Sequence, residues 1–348
     1  HVLTRHEQGA THAAQGYARV SGKVGVVTAT SGPGATNLVT GIADAQIDST
    51  PMVCITGQVA SHLLGSDAFQ ECDIIGISTP VTKWNCQITK ASDIPEVIAK
   101  AFYIAKAGRP GPVLIDITKD AQFELMEFKY KKCHSIRSYT PIPKFSINEI
   151  NKAAELINSS KKPFIVWGQG VTLGNAETEF KEFIEKTGIP AASTILGLSA
   201  LSTDHPLHVG MLGMHGNYGP NVLTNECDVL IAIGMRFDDR VTGNLETYAK
   251  QAKIIHFEID PAEVNKNVEV DVPVLGSVKE TLPKILELVN KNSHKTWLNK
   301  FKSFYKLEYE KVIKKYGTNN FRIIQGNLFE LIHISSLVIS VERPRLKP

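Results

Sequence analysis

Short runs of β-branched and aliphatic residues alternate along this chain with longer stretches whose apolar positions recur every three to four residues. That alternation is what a parallel sheet covered by helices requires, so the fold class is α/β, with doubly wound parallel sheets. In the first part the pattern predicts a helix from about Glu7 to Val20, a strand at Val24–Ala29, a helix at Ala35–Asp48 and a strand at Pro51–Thr56. A helix at Ile94–Ala107 and a strand at Val113–Ile117 follow, joined by the turn Gly108-Arg109-Pro110-Gly111-Pro112, which fixes where Arg109 points.

Periodicity collapses beyond Ala121 into a charged, Pro-containing stretch, and a linker is placed at 126–145. A second domain over 146–290 opens with the helix Ser146–Asn158, Ser146 and Glu149 having capping-box spacing. Strands at Pro163–Trp167, Val229–Ile233 and Ile254–Ile259 predict a sheet of about six strands. A Lys-rich helical extension, 291–316, reads as a solvated face because its lysines are interleaved with Glu308 and Glu310. After Gly317 the sequence changes character.

The length of 348 residues accommodates two such domains. A net charge of +3 with dispersed basic residues points to no nucleic-acid partner. The five cysteines are odd in number and contain no C-x-x-C pair, which argues against a disulfide framework and against a zinc knuckle. A reducing, cytoplasmic location is expected. No apolar run reaches the roughly 18 residues of a membrane span. The opening His1-Val2-Leu3 lacks a Met, so residues are expected to be missing upstream.

Four segments carry candidate chemistry. Thr30–Asn37 joins a strand to a helix, where backbone N–H groups face an anion or polar ring, although such a turn needs Gly for geometry alone. Gly168-x-Gly170-x-x-x-Gly174 is one residue off the dinucleotide fingerprint, and the acid expected at the end of the next strand has no clean assignment, which disfavours an ordinary NAD site. Gly234–Arg240 lies at the carboxyl end of a parallel strand, where α/β sheets bind ligands, and is as easily a charged loop. Met214 and His215 are flanked by glycines that permit close backbone approach, and no second His at metal spacing supports a metal. Glu7 alone reads as a first-turn acid on a helix dipole.

Taken in order, Arg5–Ala10, Ala29–Asn37, Ile55–Val59, Asp67–Glu71, Gly108–Val113, Lys119-Asp120, Leu212–Gly216 and Gly234–Gly243 resemble the large catalytic subunit of acetolactate synthase, a thiamine diphosphate enzyme, over residues 1 to about 316. The resemblance implies a pyrimidine-binding domain at 1–125, lacking its N-terminal part, and a central FAD-binding domain. The diphosphate-binding domain is absent, and 317–348 is a tail outside the family pattern. Glu7 would hydrogen-bond the thiamine pyrimidine ring as the catalytic acid, its pKa raised in a dry pocket so that a proton can be shared. Phe69 and Gln70 would line the reaction centre, with Lys83 and Lys119 at its entrance. Arg240 would grip the carboxylate of the acceptor, with Met214 beside it. Arg109, Gly168, Gly170, Thr194, Leu196, Leu212, Gly213, His215, Gly234, Arg236, Asp238 and Asp260 match the FAD pattern, the flavin having no redox role in the main reaction. Ala60 stands where many members have proline, a position bordering the substrate channel.

By the same resemblance pyruvate is decarboxylated and its two-carbon unit passes to pyruvate or 2-ketobutyrate, in the synthesis of branched-chain amino acids. The full-length protein would be a homodimer with a regulatory small subunit. The ligands for Mg²⁺ are expected in the missing domain, and this chain alone is expected to be inactive. Two competing readings are another thiamine diphosphate enzyme, such as pyruvate oxidase, and a silent FAD-binding or assembly module.

Overall fold

Runs such as Met52-Val53-Cys54-Ile55 and Phe164-Ile165-Val166-Trp167 place apolar side chains on both faces of a strand, so each sheet must be covered on both sides. In the computed structural model, which describes residues 1–314, they are the hearts of two parallel sheets in two compact units dividing between Pro141 and Ile142. That division falls inside the stretch expected as a linker. Residues after 314, including the tail beyond Gly317, lie outside the described residues.

The first sheet is formed by β1 (Gly25–Ala29), β2 (Met52–Gln58), β3 (Trp84–Ile88) and β4 (Pro112–Thr118), in the order β1-β2-β4-β3. Met52, Cys54 and Leu114 pack with Ala14, Leu38 and Ile42 from the helices on one face. Val53, Val113 and Ile115 pack with Ala101 and Ile104 of the helix Ile94–Lys106 on the other. The helix Glu7–Ser21 stops at Gly22, whose φ of 67° supplies the left-handed cap. The expected helix Ala35–Asp48 is two pieces, Pro33–Asn37 and Val39–Ile47, broken at Leu38.

The second sheet has six strands: β5 (Pro163–Trp167), β6 (Ala191–Ser193), β7 (His208–Met211), β8 (Val229–Ile233), β9 (Lys253–Glu258) and β10 (Val272–Leu275). Their order, β10-β9-β8-β5-β6-β7, is the doubly wound arrangement, with its topological switch between β5 and β8. The helix Ile147–Ser159 starts as its sequence indicates, Ser146 Oγ accepting from the Glu149 N–H at 3.4 Å. The carboxylate of Glu149 meets Lys152 at 2.9 Å. The Lys-rich stretch is more than a solvated face. The helix Lys295–Glu308 buries Trp297, Leu298 and Phe301, and Phe301 stacks on Phe164 of β5 at 5.0 Å.

Candidate active site at two strand edges

In a parallel sheet all carboxyl ends of strands lie along one edge, and a residue just after a strand belongs to that edge. On the first sheet this edge gathers Thr30 and Ser31 after β1, Val59 after β2 and Lys119 after β4. Glu7 joins them because its helix begins there: a Cβ built on Gly34 would lie 3.5 Å from Glu7 Oε1. Asn37 Nδ2 donates to Glu7 Oε2 at 3.0 Å. This bond, with help from the helix backbone, holds the Glu7 carboxyl below the usual carboxylate range. The direction is opposite to the raised value expected for a dry pocket, because Glu7 is half-buried and keeps access to water.

Gln70 arrives from a separate loop. Its φ is 61°, and Gly32, with a φ of 58°, lies so close that a Cβ there would stand 2.7 Å from the Gln70 carbonyl oxygen. Glu71 accepts from the Ala68 N–H at 3.0 Å and from the Gly65 N–H, which fastens the loop and leaves Phe69 88% exposed. Those backbone donors lower the Glu71 pKa. Asp120, next to Lys119, accepts from the Ser61 N–H at 2.9 Å and ties the turn after β2 to the end of β4.

Lys83 does not join this group. It precedes β3 and so lies at the opposite edge, where Lys83 Nζ donates to the carbonyls of Ile104 at 2.6 Å and Ala107 at 2.7 Å, with the Tyr139 ring 5.8 Å away. Its charge caps the C-terminal end of the helix Ile94–Lys106 instead of facing an entrance. Lys83→Met should cost about 1–2 kcal/mol of stability and leave thiamine diphosphate affinity unchanged, as a melt and a titration would show. Arg109 precedes β4 and lies at that same opposite edge, where its Nε donates to Ser49 Oγ at 2.9 Å.

In the second unit the glycine turn explains itself by contact. Gly168 N–H donates to the Ile233 carbonyl at 3.0 Å, and Gly170 N–H to the Gly234 carbonyl at 2.8 Å. A Cβ on Gly168 would stand 2.6 Å from the Gly234 oxygen, so the turns after β5 and β8 meet backbone to backbone at the switch. Thr194 and Leu196 follow β6, Leu212, Gly213 and His215 follow β7, Arg236 and Asp238 follow β8, and Asp260 follows β9. The expected FAD residues of this unit therefore all follow strands along one edge of the sheet. Asp238 caps the short helix Asp239–Thr242 by accepting from the Arg240 N–H at 2.9 Å, and it faces Arg236 Nε at 3.6 Å. Arg240 Nη1 lies 2.9 Å from Met214 Sδ, and the Met214 N–H donates to the Arg240 carbonyl at 2.7 Å.

Sequence reasoning missed Asn37 as the partner of Glu7, and it missed Glu258. Glu258 ends β9, is nearly buried, and accepts from the N–H groups of Ile259 and Asp260 at 2.9 and 3.1 Å. An acid sought at the end of the strand that follows β5 in sequence is absent there. Glu258 lies across the switch, on the β8 side. Among the described residues no group of three His, Cys, Asp or Glu side chains could hold a metal ion, and no helix is long and apolar enough to cross a membrane.

Two family models match this chain: the N-terminal TPP binding domain of thiamine pyrophosphate enzymes over residues 1–77, and their central domain over residues 150–285. The acetolactate synthase large subunit of Corynebacterium glutamicum is 51% identical over 296 residues, 85% of this chain and 47% of that protein. The acetolactate synthase large subunit of Buchnera aphidicola subsp. Schizaphis graminum is 45% identical over 350 residues, 98% of this chain and 61% of that protein. That alignment runs past Gly317, so this comparison does not set the stretch expected as a foreign tail apart. A probable acetolactate synthase large subunit of Methanococcus aeolicus is 50% identical over 300 residues, 84% of this chain and 50% of that protein. The chain thus spans about half to three-fifths of the length of these curated relatives.

Proposed function

This chain belongs to the thiamine pyrophosphate enzyme family, and from that premise we propose that it forms the pyrimidine-binding and flavin-binding parts of an acetolactate synthase large subunit. The observation that carries the reading is Glu7 set at a helix start against the Thr30–Gly34 turn, with Asn37 donating to its carboxylate. Thiamine diphosphate, when bound, supplies the electron sink for decarboxylating pyruvate and passing its two-carbon unit to pyruvate or 2-ketobutyrate. Glu7 holds the proton that the pyrimidine ring shares. Covering the site displaces water from Glu7 and moves its pKa upward, toward the value such sharing needs.

Gln70, held by Gly32, and Lys119, at the end of β4, border the same edge. The flavin role, non-redox in the main reaction, falls to the edge built by Gly168, Gly170, Gly234 and the loops around them, where glycine lets a ligand approach the backbone. We assign Mg²⁺ to no described residue. The proposal extends to a homodimer, a regulatory small subunit and a cytoplasmic location, consistent with five free cysteines.

Arg240 offers a planar fork for the acceptor carboxylate. Arg240→Lys should raise the acceptor concentration needed for product about 5- to 100-fold, for pyruvate and 2-ketobutyrate alike because both carry the carboxylate, while thiamine diphosphate affinity holds. Residues 1–314 joined to the remaining segment of a relative and assayed over a range of each keto acid give the acceptor dependence, and an unchanged dependence would remove Arg240 from acceptor binding. The same assay tests the whole reading: acetolactate supports it, whereas acetate would favour a pyruvate oxidase type of enzyme. Retention of flavin by the chain alone after desalting tests the central domain separately.

A further inference from the structure

Ile55–Val59 is a segment of the family resemblance whose side chains the reading above leaves without a task. Thr56 and Gln58 point from β2 toward β4, where they meet Asp116, a wholly buried carboxylate. Thr56 Oγ1 donates to Asp116 Oδ1 at 2.7 Å. Gln58 Nε2 and Gln87 Nε2 donate to Asp116 Oδ2 at 3.1 and 2.9 Å. Three neutral donors converge on one acceptor. Burial pushes the Asp116 pKa up, the three donors oppose that shift, and Asp73 adds to it.

The arrangement reaches beyond the core through Gln58. Its Oε1 is occupied by the Val59 N–H at 2.9 Å, so its amide end must face Asp116, and the same Nε2 also donates to the Cys72 carbonyl at 2.8 Å. Cys72 closes the loop whose preceding residues are Phe69, Gln70 and Glu71. At its other side that loop rests on Gly32 through the Gln70 backbone. The loop is thus held between a glycine of the candidate cofactor turn and an amide oriented by a buried acid.

We infer that Asp116, acting through Gln58, is the positioning residue that fixes the Phe69–Cys72 segment over the Thr30–Gly34 turn. The inference rests on the reading of that edge as the cofactor site only for its consequence, since the geometry stands without it. An acceptor-only side chain at 116 dictates which way the Gln58 amide faces. A side chain at 116 with no acceptor would leave the Gln58 amide without its partner on β4 and release it from the Cys72 carbonyl.

Hydrogen exchange across Gly65–Ile74 in the full chain tests this. Asp116→Leu, which removes the acceptor, should raise exchange there about 5- to 100-fold without moving exchange in the helix Glu7–Ser21, and Gln58→Ala should do the same. Gln58→Glu sets two carboxylates together and should lower the melting temperature, whereas the double variant Asp116→Asn/Gln58→Glu restores a complementary amide–carboxylate pair, so the melting temperature should recover. It also leaves a carboxylate facing the Cys72 carbonyl, so loop exchange should stay fast, a split that a purely structural role for Asp116 would not produce. Unchanged exchange in Gln58→Ala, or recovery of loop protection in the double variant, would overturn the inference. Should Asp116→Leu unfold the unit, buried Cys54 becomes open to maleimide and Gln58→Ala alone decides. Thiamine diphosphate titration of residues 1–314 joined to the remaining segment of a relative reports separately on the cofactor reading.

Discussion

Glu7→Gln should reduce acetolactate formation by about 10²–10⁴-fold in a polypeptide that joins residues 1–314 to the remaining segment of a relative. Gln keeps the size of Glu, and its carbonyl can still accept from Asn37 Nδ2, the present partner at 3.0 Å. Only the shareable proton disappears. Turnover at the wild-type level would remove Glu7 from the chemistry. The pH behaviour has a definite sign. Because the Glu7 pKa is lowered, its bond to Asn37 is intact above the ordinary glutamate range and is lost as pH falls through the depressed value. Asn37→Leu removes the largest cause of that depression. The Glu7 pKa in that variant should climb toward the ordinary value, observable by NMR titration of the side-chain carboxyl, whereas an unmoved titration would show that the bond does not govern it.

The second large effect belongs to Gly234. Its φ is 57°, and a Cβ there would stand 2.8 Å from the Gly170 backbone and 2.9 Å from the Val171 nitrogen. Gly234→Ala therefore meets two penalties: about 1–2 kcal/mol for a side chain in the left-handed region and about 1–3 kcal/mol for overpacking a site that cannot relax. The sum, about 2–5 kcal/mol, corresponds to a fall in melting temperature of roughly 5–15 °C. Gly243 separates the two contributions, since its φ is 61° but nothing lies within 4 Å of a built Cβ. Gly243→Ala should show the backbone penalty alone. If the two variants melt together, the contact across the switch is softer than its geometry indicates.

Strands with continuous aliphatic or β-branched runs, β2, β4, β5, β8 and β9, were legible in the sequence because burial on both faces leaves no other composition possible. The missed strands lack that signal. β3 is Trp-Asn-Cys-Gln-Ile and half polar, β6 is only Ala-Ala-Ser, β7 is the short His-Val-Gly-Met, and β10 carries Pro273 at an edge of its sheet. The place of Lys83, expected from the resemblance alone, was illegible for the same reason. A residue before a strand lies at the amino edge and one after it at the carboxyl edge, so an unrecognised β3 left the edge of Lys83 undefined. Glu7, Thr30–Asn37 and Gln70 come together in space although three separate segments supply them, a juxtaposition that helical and strand periods cannot express.

The place of β5 in the middle of its sheet also sets a timetable. Its partners arrive late in the chain: β8 lies more than sixty residues downstream, and the Trp297 indole that donates to the Pro163 carbonyl at 2.9 Å is 134 residues away. At a synthesis rate of roughly 5–20 residues per second, the first strand of the unit waits about 7–27 s for its last contact. For about the first half of that interval Phe164 lacks β8 beside it, and throughout it lacks Phe301 over it. Nascent chains halted short of Phe301 should therefore engage chaperones and proteases more than chains halted some tens of residues beyond it.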